Sequence, residues 1–276
     1  MHSDAQEFTS YLLFEENIFK SLNRKVVEEK RACIYVNGHE FTTLMCSPHD
    51  LEDLAIGFLR SEELIAGIED IASMSLSVQG TCVDVWLNNK FIEPSSRRIT
   101  TSGCGGGVTF DDLLKERMPL LLSTSITTDQ VGPLMKKFYQ SAERYQETRG
   151  IHTAALSDGS EILLLAEDIG RHNTIDRLWG QALRRGIATE KMVLICTGRI
   201  SSEMLGKAAK AEIPIIISRT SPTSLSVDLA HAWNVTLIGY ARADSFRIYS
   251  APGRVVMARK IKQNQPAQFT VDAQHI

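Results

Sequence analysis

The sequence predicts an α/β protein: a three-layer α/β domain over residues 116–276, preceded by a smaller α+β domain over residues 1–115. Three observations predict it. From residue 151 onward, short apolar runs alternate with helix-patterned runs, in the β-α-β-α-β order that builds a sheet covered by helices. Before residue 100 the pattern differs, with short alternating strands around one amphipathic helix. Between the two lies a glycine-rich stretch, Thr100-Thr-Ser-Gly-Cys-Gly-Gly-Gly107, after which the period changes, and this places the boundary near residues 107–125.

Taken in order, residues 1–30 are polar and weakly patterned and read as a tail or an edge strand. Residues 32–36 and 40–45 read as strands, with Asn37-Gly38 as a hairpin turn between them. Ser47 and Pro48 open a helix, Ser47 as its N-cap, Pro48 at the first helical position and Asp50 in the first turn. Leu51, Leu54, Ala55, Phe58 and Leu59 form that helix's apolar face. Residues 74–78 and 82–87 are strands joined at Gly80, and Val83, Val85 and Leu87 mark a buried face by alternation. Residues 110–122 and 130–146 carry helical periodicity, the second capped by Thr128 or Asp129. Strands follow at 153–156 and 162–166 around the Asp158-Gly159 turn, then a helix at 173–185 closed by Gly186. Residues 192–196, 214–218 and 235–239 read as strands, alternating with helices at 202–211 and 224–233, and 246–249 is a last short strand.

Composition narrows the class. Of 276 residues, 43% are apolar and 23% charged, the profile of a globular chain with a core, and a net charge of −3 gives no basic field for nucleic acid. No stretch approaches a membrane span, and the first residues lack the basic and apolar regions of a signal peptide. Five cysteines, an odd number without a CxxC pair, predict reduced thiols and a cytoplasmic location. Cys33, Cys46 and Cys82 read as core filler and Cys196 as an inert residue ending a buried strand.

Two features carry chemistry. Cys104 sits among Gly103, Gly105, Gly106 and Gly107, which reads either as an exposed thiol on a mobile loop, able to act as nucleophile or carrier, or as a hinge with an incidental cysteine. The second feature is a set of loops following strands, where open α/β sheets bind ligands. Four such loops each carry an arginine: Arg171 in 167–173, Arg199 in 197–202, Arg219 in 219–223 and Arg242 in 240–245. Ser or Thr near helix starts, such as Ser221 and Thr223, accompanies three of them, and arginine forks beside helix N-termini suit a phosphorylated or nucleotide-like ligand. Asp168 and His172 could pair as acid and base, but a tie from Asp168, Arg171 and Asn173 to the helix start is the favoured reading. His152 is a hydrogen-bonded group rather than a metal ligand, since no cysteine pair follows it, and no metal site is expected.

Glu167-Asp-Ile-Gly-Arg-His-Asn-Thr-Ile-Asp176 resembles the signature of the FdhD family, the formate dehydrogenase accessory sulfurtransferases. Val36-Asn-Gly38, Leu54-Ala-Ile-Gly-Phe-Leu59, Thr197-Gly-Arg-Ile-Ser201, Ser221-Pro-Thr223 and Leu237-Ile-Gly-Tyr-Ala-Arg242 match further motifs, in the family's order. The resemblance implies a cytidine-deaminase-like fold for the larger domain and a cytoplasmic homodimer. It also implies sulfur carried as a persulfide on Cys104, received from a cysteine desulfurase and passed to the bis-molybdopterin guanine dinucleotide cofactor of formate dehydrogenase. It places the cofactor, or a GDP-like nucleotide, on Tyr240, Ala241, Arg242, Ala243, Asp244 and Ser245; Arg199, Arg219, Ser221 and Thr223 are the further candidates for that site. The sequence departs from the family at Gly107, where the loop's second cysteine would stand, and this strengthens the alternative of a non-catalytic cofactor-binding chaperone. The deaminase zinc pattern is also absent: Ala154 stands where a deaminase has its glutamate.

Overall fold

The computed structural model describes residues 6–16, 18–77, 80–88, 117–121 and 124–258. The chain opens with β1 (Gln6–Glu15) and β2 (Ile18–Val27), an antiparallel hairpin in place of the expected tail or single edge strand. Leu12, Phe14, Ile18 and Phe19 remain exposed on it, so among its described side chains no face is consistently buried.

Four strands follow as a sheet in the order β4-β3-β6-β5: β3 (Lys30–Val36), β4 (His39–Cys46), β5 (Ile71–Leu76) and β6 (Cys82–Leu87). Asn37 and Gly38 both take positive φ, 51° and 81°, as a tight β3–β4 hairpin demands. Helix α1 (Leu51–Ser61) buries the predicted apolar face, with Leu54, Ala55, Phe58 and Leu59 packed among Ile34, Val36, Leu44, Val83 and Val85. Its start differs from expectation. The cap position is Asp50, at φ 43°, and the Ser47 hydroxyl instead accepts from the Ile169 amide at 3.3 Å. A tertiary partner has taken the side chain that local capping rules would assign to the helix. Cys33 and Cys82 also depart from the expected reduced filler: they are register partners on parallel β3 and β6, 4.4 Å apart at Cα, and are joined as a disulfide.

The expected helix over 110–122 lies mostly outside the described residues. Its described part, 117–121, is not helical. There Arg254, 1% exposed, donates to the carbonyls of Leu120, Leu121 and Asn234 and holds the segment against the main sheet. The expected domain boundary at 115/116 also falls outside the described residues. β7 (Ile126–Thr127) then leads into helix α2 (Thr128–Ser141). Its cap is Thr127 rather than Thr128 or Asp129, with the Gln130 side chain reaching back to the Thr127 amide at 2.7 Å. The single helix expected to Gln146 breaks at Ala142 and resumes as α3 (Glu143–Thr148), whose first amides, on Arg144 and Tyr145, donate to the Glu167 carboxylate.

The remaining strands are β8 (His152–Ser157), β9 (Ile162–Asp168), β10 (Val193–Cys196), β11 (Ile215–Ser218), β12 (Thr236–Gly239) and β13 (Arg247–Ser250), and β14 (Val255–Val256) pairs with β7. The first six form one sheet in the order β13-β12-β11-β10-β8-β9. β10, β11 and β12 are parallel, and β9 runs with them because both of its links to β10 through β8 are antiparallel. Helices α4 (Arg171–Arg185), α5 (Ser202–Lys210) and α6 (Ser224–Ala232) cover one face, where Leu178, Met204, Leu205 and Ala230 meet Leu164, Leu194, Ile216 and Leu237. The other face takes α2, whose Val131, Leu134 and Phe138 pack on Val193, Ile195, Ile215 and Ile217. Alternate residues of β10 therefore feed two cores, as a sheet buried on both sides requires, and the three layers predicted from the sequence are present.

The two sheets are joined by α1 against α4. At the crossing, Gly57 faces the Asp176 carbonyl and Gly180 faces the Asp53 carbonyl. Two buried ion pairs flank it: Arg177 with Asp168 at 2.7 Å, and Lys207 with Asp176 at 2.5 Å, the lysine also reaching the Ser61 hydroxyl at 3.3 Å.

Candidate functional site

Because β9, β10, β11 and β12 run the same way, the four loops that follow them emerge on one edge of the sheet. Three of these loops are bound into one surface. The Ser218 hydroxyl donates to the Gly198 carbonyl at 2.7 Å, the Thr223 amide to Ile200 at 3.0 Å, and the Tyr240 and Ala241 amides to Thr220 and Ser218 at 3.1 and 3.0 Å. Arg242 reaches the Arg219 carbonyl at 2.7 Å, and its own amide donates to Ser245 at 2.8 Å, closing the turn over Ala243 and Asp244. Gly239 permits the close approach: a Cβ there would sit 2.8 Å from the Tyr249 ring and 3.0 Å from the Thr220 carbonyl.

The candidate residues differ in what they can offer a ligand. Arg199, Arg219 and Arg242 are exposed. Arg219 lies over the Tyr139 ring at 5.2 Å, and Arg247 over Tyr240 at 4.4 Å, so aromatic faces hold both guanidinium groups near the loops. The neighbouring Tyr139 raises the Arg219 pKa. Tyr139 and Arg247 were not among the candidates read from sequence, since an aromatic on α2, distant in sequence from the loops, gives no local signal of this contact. Thr223 caps α6 by accepting from the Ser226 amide, and Ser221 contributes its carbonyl to the Ile200 amide, so both serve the loop framework. Cys104, Arg97 and Arg98 lie outside the described residues.

The loop after β9 follows the favoured sequence reading at Asp168 and Asn173 and departs from it at Arg171. Asp168 accepts from the Gly170 amide and the Asn173 amide group at 2.8 Å each and from Arg177 Nε at 2.9 Å. It does not pair with His172, whose Nε2 lies 3.0 Å from Glu203 Oε2. Arg171 takes no part in that tie; its side chain runs past Gly198. His152 Nδ1 is 3.3 Å from the Thr197 hydroxyl, as a hydrogen-bonded group. Burial pushes the His49 and His152 imidazoles below their ordinary 6.5, with Arg177 and Arg144 adding to the effect at His49 and Arg171 at His152. Below pH 6.5 the unfolded chain binds protons that the folded chain resists, so folding stability is lost as pH falls through that value. The urea midpoint should drop on acidification from neutrality, and less so in a His49→Gln, His152→Gln double variant; equal slopes would show that other groups are responsible.

The described cysteines are withdrawn from thiolate chemistry. Burial pushes the Cys46 thiol up to about 12 and the Cys196 thiol up to about 11, and Cys33 and Cys82 are paired with each other. Among the described residues no helix is long and apolar enough to cross a membrane.

The architecture and this loop-built edge define an α/β protein with an exposed surface assembled from the loops that follow parallel strands. The chain belongs to the FdhD/NarQ family, whose model matches residues 27–256. It is 37% identical over 249 residues to a sulfur carrier protein FdhD of Listeria innocua, covering 88% of this chain and 95% of that one. A sulfur carrier protein FdhD of Staphylococcus aureus is 36% identical over 262 residues, covering 93% and 98%. The crystal structure of a proposed formate dehydrogenase accessory protein from Desulfotalea psychrophila superposes with a TM-score of 0.78 at 25% identity, over 91% of this chain and all of that chain.

Proposed function

We propose that this protein is a sulfur carrier for formate dehydrogenase that holds sulfur as a persulfide on Cys104. The observation that carries the reading is the state of the other four cysteines, two buried with raised pKa values and two joined together, which leaves Cys104 to supply the thiolate. In the loading step the Cys104 thiolate attacks the outer sulfur of a persulfide on a cysteine desulfurase. One S–S bond forms, one breaks, and the donor leaves as its thiolate, with no net oxidation. The acceptor is the bis-molybdopterin guanine dinucleotide cofactor, a substrate here rather than a resident group, or in partial form a GDP-like nucleotide. Its phosphates suit the exposed guanidinium groups of Arg199, Arg219 and Arg242. The 240–245 turn is the cofactor segment in this reading, the larger layered unit is a cytidine-deaminase-like fold used without metal chemistry, and the working form is a cytoplasmic homodimer.

Intact-protein mass spectrometry after incubation with a cysteine desulfurase and free cysteine tests the carrier step. Wild-type protein should gain the mass of sulfur, lost again on treatment with reductant, and Cys104→Ala should gain none. Equal gain by the variant would sink the assignment. Gly107, in place of a second loop cysteine, favours one competing reading, a cofactor-binding chaperone without sulfur chemistry. In that case Cys104→Ala keeps full formate dehydrogenase activity in a complementation assay while Arg242→Ala loses it.

A further inference from the structure

We propose that Cys33 and Cys82 form a redox-active dithiol site which, once reduced, takes sulfane sulfur and discharges it as hydrosulfide. The chemistry of the pair stands alone; only its link to Cys104 rests on the carrier reading.

The two residues face each other across parallel β3 and β6, and Ile34–Val83, Tyr35–Asp84 and Val36–Val85 are the next register partners. Ile34, Val36, Val83 and Val85 are buried and share one core with Leu54, Ala55 and Leu59 of α1. The Cys33 amide donates to the Thr81 carbonyl, and the Cys82 amide to the Ser77 hydroxyl, both at 3.1 Å. Core and ladder therefore hold the strands in register whether or not the sulfurs are bonded. The Cα atoms are 4.4 Å apart, within the span that a disulfide bridges, so the bond can open and close without moving the backbone. Alternation along the strands puts both cysteines on the face of the sheet turned away from α1. There Cys33, Tyr35, Cys82 and Asp84 are only half-buried. Cys46 and Cys196 differ on both counts, being fully buried and free, with thiol pKa values pushed far up. The pair alone among the described cysteines joins access to a thiol neighbour.

That combination sets the chemistry. One thiolate of the reduced pair attacks a sulfane sulfur donor, a persulfide or a polysulfide, and the donor leaves as its thiolate or as a shorter polysulfide. The product is a cysteine persulfide with a thiol beside it. The second thiolate then attacks the inner sulfur of that persulfide. The Cys33–Cys82 bond forms, the persulfide S–S bond breaks, and hydrosulfide leaves with the electron pair. Each cysteine sulfur is oxidised by one electron, the sulfane sulfur gains both, and the thiol protons pass to hydrosulfide and solvent. A dithiol reductant opens the pair again by exchange. Cys104, with Gly107 in place of a second loop cysteine, has no such neighbour in its loop and would keep its sulfur. The oxidised pair thus leaves sulfur to Cys104, and the reduced pair drains it.

The test uses the full chain carrying Cys104→Ala, so that Cys104 contributes nothing. Dithiothreitol should open the pair in the folded protein, exposing both thiols to alkylation. After removal of the reductant, inorganic polysulfide should return the protein to the disulfide. Intact mass then falls by two hydrogens, and peptide mapping finds Cys33 linked to Cys82. With Cys33→Ser added, polysulfide should instead leave Cys82 holding the mass of one sulfur, since the second attack is lost. A pair that opens only in denaturant, or a reduced pair that stays a dithiol in polysulfide, overturns the proposal. Both of those measurements use the unsubstituted pair, so they decide the matter even if Cys33→Ser fails to fold. Loading of oxidised wild type by a cysteine desulfurase, with no oxidation of the reduced pair by polysulfide, leaves the carrier reading standing and removes this one. Oxidation of the pair by polysulfide, with no loading of Cys104, does the reverse.

Discussion

Replacing Asp168 with alanine should cost about 3–5 kcal/mol of folding stability, the usual penalty for stranding one member of a buried ion pair. Asp168 and Arg177 are both fully buried. The carboxylate serves Arg177 Nε and Nη2 and the Ser47, Gly170 and Asn173 donors together. Arg177 in turn donates to the carbonyls of Ser47, His49 and Asp50. The pair thus holds the segment before α1 onto the end of β9, and through it fixes one sheet on the other. Without the carboxylate, the guanidinium keeps its carbonyl partners but has no countercharge in a place water does not reach. Removing the charges together should be milder: Asp168→Leu with Arg177→Met should lose less than the two single changes added, because no uncompensated charge remains. Urea unfolding of the three variants decides it. A loss below about 1 kcal/mol for Asp168→Ala would mean that water or a rearranged partner reaches the arginine.

Much of the fold was legible because local chemistry and tertiary structure agree in it. Asn37-Gly38 can adopt the backbone angles a tight hairpin needs, and the structure uses them. The continuous apolar runs at 193–196 and 215–218 are strands buried on both faces, as their lack of alternation implied. What escaped the sequence depends on distant partners. Ser47 looked like a helix cap, yet its hydroxyl is taken by a residue 122 positions away. Arg254 drew no reading from the sequence and is a buried clamp on three carbonyls, for which no local pattern exists. Cys33 and Cys82 each sat in an apolar alternation that read as filler, and only the parallel pairing of β3 with β6 sets them opposite one another. The candidate site divides similarly. The convergence of the arginine-bearing loops follows from strand order and was foreseeable. The support of Arg219 by Tyr139 crosses from a helix on the other layer and was not.

The crossing of α1 and α4 gives a prediction whose sign separates packing from propensity. In an exposed helix, glycine to alanine stabilises by roughly 1 kcal/mol. At Gly57 and Gly180 the added methyl would fall well inside van der Waals contact with the Asp176 and Asp53 carbonyl oxygens. Those oxygens belong to helical backbone, so neither can turn aside as a flexible side-chain end could. The helices must separate, and the movement would loosen the Arg184–Asp53 contact of 2.8 Å and the Lys207–Asp176 pair on either side of the crossing. Overpacking of this kind costs about 1–3 kcal/mol, enough to reverse the propensity gain. Gly57→Ala and Gly180→Ala should each lower the urea midpoint, and the double variant should lose less than the sum, since the first separation makes room for the second methyl. An alanine that raised the midpoint at either position would show that the two helices do not pack as closely as described, and the mutual docking of the two sheets would then rest on the Asp168–Arg177 pair and its neighbours alone.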